Sequence, residues 1–358
     1  MTDTPAAAAE TTSIFRKFIW PNWEQRRRIL LREAWLMVAL AYLLLSFSYL
    51  WPQDWRNESP AYIAVSWAAF IIRVVQFHLG LVLLVVGTIA LLRKHRRLAM
   101  VAVPPVLFTL GLPLLQFIPQ SPERSVGPHF RVMTANLLMV NADTDGIVGE
   151  ALAARPDVLL LQEYTEHWHA AFQKALAKDY PYSSVVMRDD SFGIAIYSRT
   201  PFANEVDQRF PLGRAGVEQM RAELEIGGQR LALYNVHLLP PRTLLYTGEH
   251  RLQVADLIDT LHNEKLPYVV CGDFNFPDLS PQQSALKRAG AREAHQLAGY
   301  GRGATWPVIF AFRYLMPGIR IDHVYLGPQL TATKCETGEG RGSDHRPVVV
   351  DVAFRAKQ

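Results

Sequence analysis

The sequence predicts an α/β domain of two packed, mixed β-sheets flanked by helices, preceded by an N-terminal transmembrane helical region. Two observations predict this fold class. From Phe130 onward, short apolar strand-like runs alternate with helix-like stretches, which is the pattern of layered α/β proteins. Before Ile118 the chain instead contains long uncharged apolar runs of membrane-spanning length. At 358 residues the chain has room for both parts.

The apolar region predicts about three membrane-spanning helices. Ala34–Trp51 and Leu98–Ile118 contain 18 and 21 residues without a charge, and both can cross a hydrocarbon core of about 30 Å. Between them, Val74–Leu92 is interpreted as a second span, with Ala61–Ile72 as its tilted or interfacial extension. The alternative of four spans would need a tight turn at Arg73, where neither Gly nor Pro is present.

Two polar residues, Arg73 and His78, interrupt this middle stretch. They could form a buried polar pair that contacts a lipid headgroup or another span. Alternatively, Arg73 lies at the membrane interface and its long side chain reaches the water. The second interpretation is favoured.

The distribution of charge predicts the orientation of the chain. Residues 1–118 contain 12 basic and 6 acidic side chains, whereas residues 119–358 contain 25 and 27. Basic clusters precede the first span and separate the second from the third, and the loop 52–60 has one Arg against two acidic residues. The positive-inside rule therefore predicts a cytoplasmic N-terminus and, after three crossings, an extracytoplasmic C-terminal part. The net charge of that part, −2, disfavours a dedicated nucleic-acid binder.

The resulting organisation has four segments: a basic cytoplasmic N-terminus (1–33), the transmembrane region (34–118), a linker (119–129) and the α/β domain (130–358). Strands are predicted at 130–136, 157–162, 192–197, 220–226, 230–236, 268–272, 321–326 and 348–352. Helices are predicted at 145–154, 166–177, 248–263 and 280–289. Gly227-Gly228 predicts a hairpin turn. The two cysteines, Cys271 and Cys335, are too few for a disulfide framework.

Polar side chains follow several of these strand-like runs. Glu163 ends an apolar run, where a carboxylate is costly unless it is bound or paired. A hard cation such as Mg²⁺ takes one or two carboxylates and waters, so Glu163 suits it. Asn136 ends the first strand and offers an amide oxygen to the same cation or an NH₂ group to a phosphate. These two residues therefore predict a cation site.

The remaining polar groups are suited to acid–base chemistry on a phosphoester. Asp273 and Asn275, two positions apart, can hold a water and reach a phosphate oxygen, and His237 is a donor to phosphate if it is protonated. His345, within Gly-Ser-Asp-His-Arg-Pro, can act as a general base, and Asp322 is the candidate partner that fixes its tautomer. Each residue alone is weak evidence, but the ordered set predicts metal-assisted cleavage of a phosphoester.

Two long apolar loops lie beside these motifs in sequence. Leu238–Tyr246 follows His237 directly, and Trp306–Met316 precedes Asp322. Such loops could grip an acyl or isoprenoid chain or dip into a bilayer, or they could simply pack against the protein. Within them, Arg242 and Arg313 are candidate phosphate-binding residues.

The ordered motifs resemble the endonuclease/exonuclease/phosphatase superfamily over about Phe130–Phe354. They are Thr-Ala-Asn at 134–136, Leu-Gln-Glu at 161–163, Asn-Val-His at 235–237, Gly-Asp-Phe-Asn at 272–275, Ile-Asp-His at 321–323 and Ser-Asp-His-Arg-Pro at 343–347. The resemblance implies a deoxyribonuclease-I-like, four-layer α/β sandwich that depends on Mg²⁺, with Mn²⁺ as an alternative.

The resemblance also implies individual roles. Asn136 and Glu163 match the metal-site positions, and Asp344 matches an acidic residue that is often a further metal contact. His237 matches the position that stabilises the phosphate, Asp273 the residue that orients or deprotonates the attacking water, and Asn275 the residue that positions both. Asp322 matches the partner of the catalytic imidazole, His345. Whether Asp273 or His345 takes the proton stays open.

The spans before the domain are similar to a membrane-anchored bacterial branch of the superfamily that includes glycopeptide-resistance membrane proteins. This similarity implies a multi-pass protein of the bacterial plasma membrane that acts on a lipid-linked phosphate or pyrophosphate of the cell envelope. The alternatives are an extracytoplasmic, membrane-tethered nuclease and a non-catalytic sensor. A sensor would lack site residues, but none is missing. No feature predicts a protein partner.

Overall fold

The computed structural model of the chain describes residues 23–121, 123–203, 208–308 and 317–356. Its described part forms two compact units. The first contains the residues up to Tyr49 together with Gln76–Leu110, and the second contains Leu50–Val75 together with the residues from Gly111 onward. The helices are α1 Trp23–Leu50, α2 Pro60–Val74, α3 Gln76–Leu92, α4 Arg96–Leu115, α5 Thr144–Ala154, α6 Glu166–Leu176, α7 Leu244–Asn263, α8 Pro281–Arg288 and α9 Ala294–Ala298.

The first unit is a cluster of apolar helices. Val38 and Ala41 of α1, Leu83 and Ala90 of α3, and Ala102 of α4 are buried against one another. Within the described residues, α1 and α4 are each long and apolar enough to cross a membrane, and a third span results only if α2 and α3 are counted as one bent span. The middle stretch is thus two helices that meet at Val75.

The second unit contains two six-stranded sheets. The strands are β1 Ser125–Asn136, β2 Val158–Gln162, β3 Tyr182–Val186, β4 Ile194–Ser198, β5 Gln208–Pro211, β6 Glu218–Ile226, β7 Gln229–His237, β8 Tyr268–Asp273, β9 Arg292–Glu293, β10 Asp322–Leu326, β11 Leu330–Thr337 and β12 Val348–Arg355. Their orders are β11-β12-β1-β2-β4-β3 and β5-β6-β7-β8-β10-β9. In each sheet, one central pair is parallel, β1 with β2 and β7 with β8.

The alternation of side chains along each strand builds the layers. Along β2, Val158 and Leu160 enter the core between the sheets, whereas Leu159 and Leu161 enter a second core that also contains Trp168 of α6. The outer face of the other sheet forms a third core with α7, α8 and α2. Because both faces of each sheet are covered, the central strands are almost wholly apolar. The predicted fold class, an α/β sandwich of two sheets flanked by helices, is confirmed.

The structure adds elements to those that the sequence predicts. Strands β3, β5, β9 and β11 and helix α9 were not predicted, and β1 begins at Ser125 rather than at residue 130. Helix α7 begins at Leu244, four residues early, because Thr243 caps it by accepting a hydrogen bond from the Tyr246 N–H. The predicted hairpin joins β6 to β7, and its turn places Gly227 and Gly228 at φ values of 58° and 79°.

The favoured interpretation of Arg73 is wrong. Its side chain is buried rather than extended toward water, and its Nη1 donates a 2.7 Å hydrogen bond to the carbonyl oxygen of Leu279, in the second unit. The helix that carries it, α2, belongs to the same unit as the sheets, although the sequence analysis places residues 50–75 within the transmembrane region. Cys271 and Cys335 are both free and buried in the core.

Candidate active site

The predicted site residues meet at one edge of the two sheets. Asn136 is the last residue of β1, and Glu163 follows the last residue of β2, so the parallel pairing of these strands places the two side by side. In the other sheet, His237 and Asp273 are register partners at the ends of the parallel strands β7 and β8. Asp322, the first residue of β10, lies opposite Asp273 in the antiparallel ladder. Strand register therefore brings together residues that are far apart in sequence.

Asn136 connects the two sheets at this edge. Its Nδ2 donates to Oε1 of Glu163 at 3.2 Å and to Oδ2 of Asp273 at 3.1 Å, and its Oδ1 accepts from the N–H of Leu138 at 3.0 Å. The other carboxylate oxygen of Glu163 accepts from the N–H of Met139 at 2.8 Å. Glu163 has a φ of 57°, a strained conformation for a residue with a Cβ. The amide thus positions two carboxylates whose backbone the fold constrains.

The position of Asp273 depends on the glycine before it. Gly272 has a φ of 145°, and a Cβ there would collide with the carbonyl oxygen of Val236 on β7. The lack of a side chain lets β8 approach β7 at the site. Asp273 is almost fully buried, and its Oδ1 accepts from the N–H of Asn275 at 2.9 Å. Burial, together with the Asp322 carboxylate, raises the pKa of Asp273 above its usual range.

Asp322 and His345 form a hydrogen-bonded pair next to Asp273. Nδ1 of His345 lies 2.9 Å from Oδ2 of Asp322, and Nε2 lies 3.8 Å from Oδ2 of Asp273. Burial alone would lower the pKa of His345, but the carboxylates of Asp322 and Asp273 outweigh it and raise this pKa to about 10. The imidazole is therefore oriented by Asp322 and directs its other nitrogen toward Asp273. This is the arrangement that an oriented acid–base group requires.

His237 completes the polar floor of the site. Its Nε2 lies 3.5 Å from Oδ2 of Asp273, and its ring packs against Phe192. Burial lowers the pKa of His237 to about 4, and a positive charge on His345 acts in the same direction. His237 is therefore neutral at pH 7 and can donate to a phosphate only through a neutral ring N–H. Donation by a charged His237, which the sequence left conditional on protonation, is disfavoured by this burial.

The other predicted residues lie around this floor. Asn275 has a φ of 52°, and its Nδ2 donates to the carbonyl oxygen of Leu238 at 2.9 Å. Asp344 accepts at its Oδ2 from the indole N–H of Trp306 at 3.1 Å. Arg242 is exposed, lines the cavity, and forms no ion pair with a carboxylate in the described part of the chain. Arg313 lies outside the described residues, so its role stays a prediction.

A divalent cation fits the donors at this edge. Glu163, Asp273 and Asp344 line one cavity, and none of them has an Arg or Lys ion pair among the residues described. Oδ1 of Asp322 is buried and also lacks a hydrogen-bond partner there. Converging carboxylates repel one another unless a cation binds, and oxygen donors of this kind suit Mg²⁺ or Mn²⁺.

Two donor sets compete for such an ion. Ligand atoms of Asp273, Asp322 and His345 lie within 4.8 Å of one another. However, Asp322 and His345 already engage each other at 2.9 Å, so a metal on both would replace this hydrogen bond. Glu163 and Asp344 face the cavity without that conflict. We therefore favour the predicted carboxylates, with Asn136 holding Glu163, although its amide oxygen is engaged by Leu138.

The cavity around these residues has a volume of about 570 Å³, within the range of small-molecule sites. Its floor is polar, and its walls are largely apolar. Side chains from three parts of the chain form these walls: Phe70, Ile71 and Val74 of α2, Met139, Val140 and Phe192, and Pro240, Pro241, Tyr246 and Trp306. The contribution of α2 was not predicted, because its apolar sequence resembles that of the neighbouring spans.

Several buried residues that support the strands and loops of the site were not predicted from the sequence. The amide groups of Gln162 and Asn235, part of the quoted motifs, are fully buried and join the two sheets through a 2.6 Å hydrogen bond. Arg320, two residues before Asp322, donates to Asp278 at 2.7 Å, and its Nε lies 3.9 Å from Glu293. This buried ion pair ties the loop after Asn275 to the start of β10. In the sequence, the only indication of this ion pair is that a charged residue, Arg320, precedes an apolar strand.

The matches to known proteins agree with this geometry. Residues 133–345, more than half of the chain, match the model of the endonuclease/exonuclease/phosphatase family. No curated protein matched the chain. Among solved structures, the family protein of Bacteroides vulgatus is 19% identical, with a TM-score of 0.51, and the match covers 64% of this chain and 100% of that one.

Two other solved structures match over a similar length. A family protein of Beutenbergia cavernae is 19% identical, with a TM-score of 0.50, and the match covers 64% of this chain and 72% of that one. D. rerio TDP2, solved in complex with a single-stranded DNA product, is 17% identical, with a TM-score of 0.50, and the match covers 63% and 99%. Identities this low show a shared fold and no more.

Proposed function

The chain belongs to the endonuclease/exonuclease/phosphatase family, whose members are generally phosphoester hydrolases, and from this premise we propose that it hydrolyses a lipid-linked phosphate or pyrophosphate with the help of a divalent metal ion. One observation carries the proposal: a single cavity joins a floor of carboxylates and imidazoles to apolar walls. A polyanion such as nucleic acid needs a basic surface along its phosphates. An amphiphilic phosphate ester needs polar groups for its phosphate and apolar walls for its hydrocarbon part, and this cavity has both.

In the proposed mechanism, Glu163 and Asp344 would hold the ion, which we expect to be Mg²⁺ or Mn²⁺ and which, when bound, would supply polarisation of a phosphoryl oxygen. Asn136 orients Glu163 and Asp273 through its amide group. Asp322 fixes the ring of His345, whose raised pKa keeps it protonated, so that Nε2 faces Asp273 and the proton of the attacking water passes to the Asp273 carboxylate.

Substrate binding is assigned to the donors at the rim of the floor. His237 donates to the phosphate through its neutral ring, and Asn275 positions the phosphate and Asp273. Arg242, which lines the cavity without an ion pair, meets a phosphate oxygen of the substrate. Arg313 is a second candidate for this role on sequence grounds alone.

We place the enzyme in the bacterial plasma membrane with its active site on the extracytoplasmic side. Helices α1 and α4 have the length and apolarity of spans, and basic clusters lie at the start of α1 and at the junction of α3 and α4, on the sides assigned to the cytoplasm. In this proposal α3 is the third crossing, because its 17 residues are just long enough to span the hydrocarbon core. Three crossings put the sheets outside. A lipid-linked substrate of the cell envelope would be present there.

A tethered nuclease is the second candidate, since one similar structure, D. rerio TDP2, was solved with a single-stranded DNA product. The net charge of −2 over residues 119–358 speaks against it. So does the scarcity of cations in the cavity, where Arg242 is the one Arg or Lys among the described lining residues.

The test is phosphate release by the detergent-purified full chain with Mg²⁺, using farnesyl diphosphate as substrate and following the nicking of a plasmid in parallel. Glu163→Gln removes the proposed ligand, and Glu166→Gln is the matched control, because Glu166 is exposed and does not line the cavity. We expect release from the diphosphate to fall at least about a thousandfold in the first variant alone. Plasmid cleavage without diphosphate hydrolysis would replace the proposal by the nuclease.

A further inference from the structure

Helix α2 is fastened to the two loops that leave the active-site strands. The indole N–H of Trp67 donates to the carbonyl oxygen of Pro241 at 2.8 Å, in the loop after His237. Arg73 donates to the carbonyl oxygen of Leu279 at 2.7 Å, in the loop after Asn275. A polar anchor on each loop fixes the rotation of the helix about its axis, and hence which of its side chains face the cavity.

The side chains that face the cavity are apolar. Phe70 is buried in the core of the second sheet and completes the wall, whereas Ile71, also a wall residue, is 40% exposed. Two other residues that line the cavity, Val140 and Tyr246, are 73% and 41% exposed. These three partly exposed side chains form an apolar rim that is continuous with the phosphoester site. An apolar rim on a polar cleft is typical of a binding surface.

We propose that α2 is the wall that binds the hydrocarbon chain of the substrate, with Ile71 as the residue that determines specificity for this chain. This inference rests on the proposed function and names the part of the site that recognises the lipid. The phosphate sits on the polar floor, and the first isoprenoid or acyl units lie against Ile71 and Val74. Trp67 and Arg73 are positioning residues that hold the wall in place.

Charge and continuity identify the occupant. The cavity surface of α2 carries no charge, since its one basic residue, Arg73, is turned to Leu279. This wall offers a polyanion no cation to pair with its phosphates, whereas a hydrocarbon chain attached to the phosphate would bury the apolar surface. In addition, α3, which begins at Gln76, directly follows the wall in sequence and is mainly apolar and uncharged from Leu79 to Leu92.

The test compares farnesyl diphosphate with isopentenyl diphosphate, which carries the same diphosphate group on a short chain, in the detergent-purified full chain. The measured quantity is the ratio of the two kcat/KM values, which is independent of the fraction of folded enzyme. Ile71→Ser removes apolar surface from the wall. Val75→Ser is the matched control, because Val75 is similarly exposed (44%) and does not line the cavity.

We expect the wild-type ratio to favour the long chain and to fall about tenfold in Ile71→Ser, given the loss of a few buried methylene contacts. Val75→Ser should keep the wild-type ratio. An unchanged ratio in Ile71→Ser, an equal fall in both variants, or a wild-type ratio near one would overturn the wall and leave the phosphatase intact. Failure of the wild type on both diphosphates would instead refute the proposed function, and the wall with it.

Discussion

Replacing Asn235 by Ala should strongly destabilise the second unit, because this amide crosses from one sheet to the other. Asn235 is fully buried in β7. Its Nδ2 donates to the carbonyl oxygens of Leu161 and Ala195 at 3.0 and 2.9 Å, and its Oδ1 accepts from Nε2 of Gln162 at 2.6 Å. All three partners belong to the other sheet.

The magnitude follows from these contacts. Each of the three hydrogen bonds contributes about 1 kcal/mol net, so that their loss lowers the free energy of unfolding by about 3 kcal/mol. Gln162 keeps two other partners, since its Nε2 also lies 3.1 Å from Oγ1 of Thr134 and 3.2 Å from the carbonyl oxygen of Leu160. The cavity left by the amide adds to the loss, and relaxation around it offsets part.

The assay is urea unfolding of the detergent-solubilised full chain, followed by tryptophan fluorescence, with the change in free energy taken from the midpoint at constant slope. Asn263→Ala is the control, because that amide is exposed and its one hydrogen bond within the described part of the chain is to the carbonyl oxygen of Asp259, four residues earlier. The control should change stability by less than about 0.5 kcal/mol. A loss below about 1 kcal/mol in Asn235→Ala would show that apolar packing alone holds the sheets together.

Three further predictions address the site. Asp322→Asn should lower kcat for phosphate release on the order of a thousandfold with little change in KM, since the carboxylate orients His345 at 2.9 Å. Steady-state kinetics would measure this, with Asp259→Asn, at an exposed position, as the control. A fall in kcat below about tenfold would exclude the Asp322–His345 pair from the chemistry. Mg²⁺ at a hundred times its Kd should raise the free energy of unfolding by about 2.7 kcal/mol in the wild type and by clearly less in Glu163→Gln. Thermal unfolding would measure both values. Equal increases in the two proteins would place the ion away from Glu163. Gly272→Ala should yield no folded protein, because its Cβ would meet the carbonyl oxygen of Val236. The control, Gly149→Ala, has open space around it and should express normally. An active Gly272→Ala variant would contradict the close approach of β8 to β7.

The residues of the candidate site were predictable because their signs are local. Asn136, Glu163, His237 and Asp273 each stand at the end of an apolar run, and the ends of parallel strands meet at one edge of a sheet. The partnership of Asp322 with His345 was expected from the resemblance, and the structure places the two atoms at 2.9 Å. The protonation of His237 was not predictable, since burial sets its pKa and burial is a property of the whole fold.

The four strands that were not predicted lack such local signs in the sequence. Lys334 and Glu336 of β11 pair with each other at 2.8 Å on an exposed face, and the sequence of this strand lacks the continuous apolar run that marked β8. Strand β5 has four residues, and β9 has two. Such short or polar segments become strands because a neighbouring strand offers hydrogen bonds, and a single-sequence pattern does not contain the neighbour.

The sequence by itself determined the layered α/β class, the apolar N-terminal region and the ordered set of polar groups, because each depends on residue types at local spacing. The tertiary structure decided which surfaces those groups share. Helix α2 has the apolar composition of a span, yet Phe70 packs in the core of the second sheet and Ile71 faces the active-site cavity. Apolarity fixes only that a surface must be buried; the partner that buries it is selected by the packing of the complete chain.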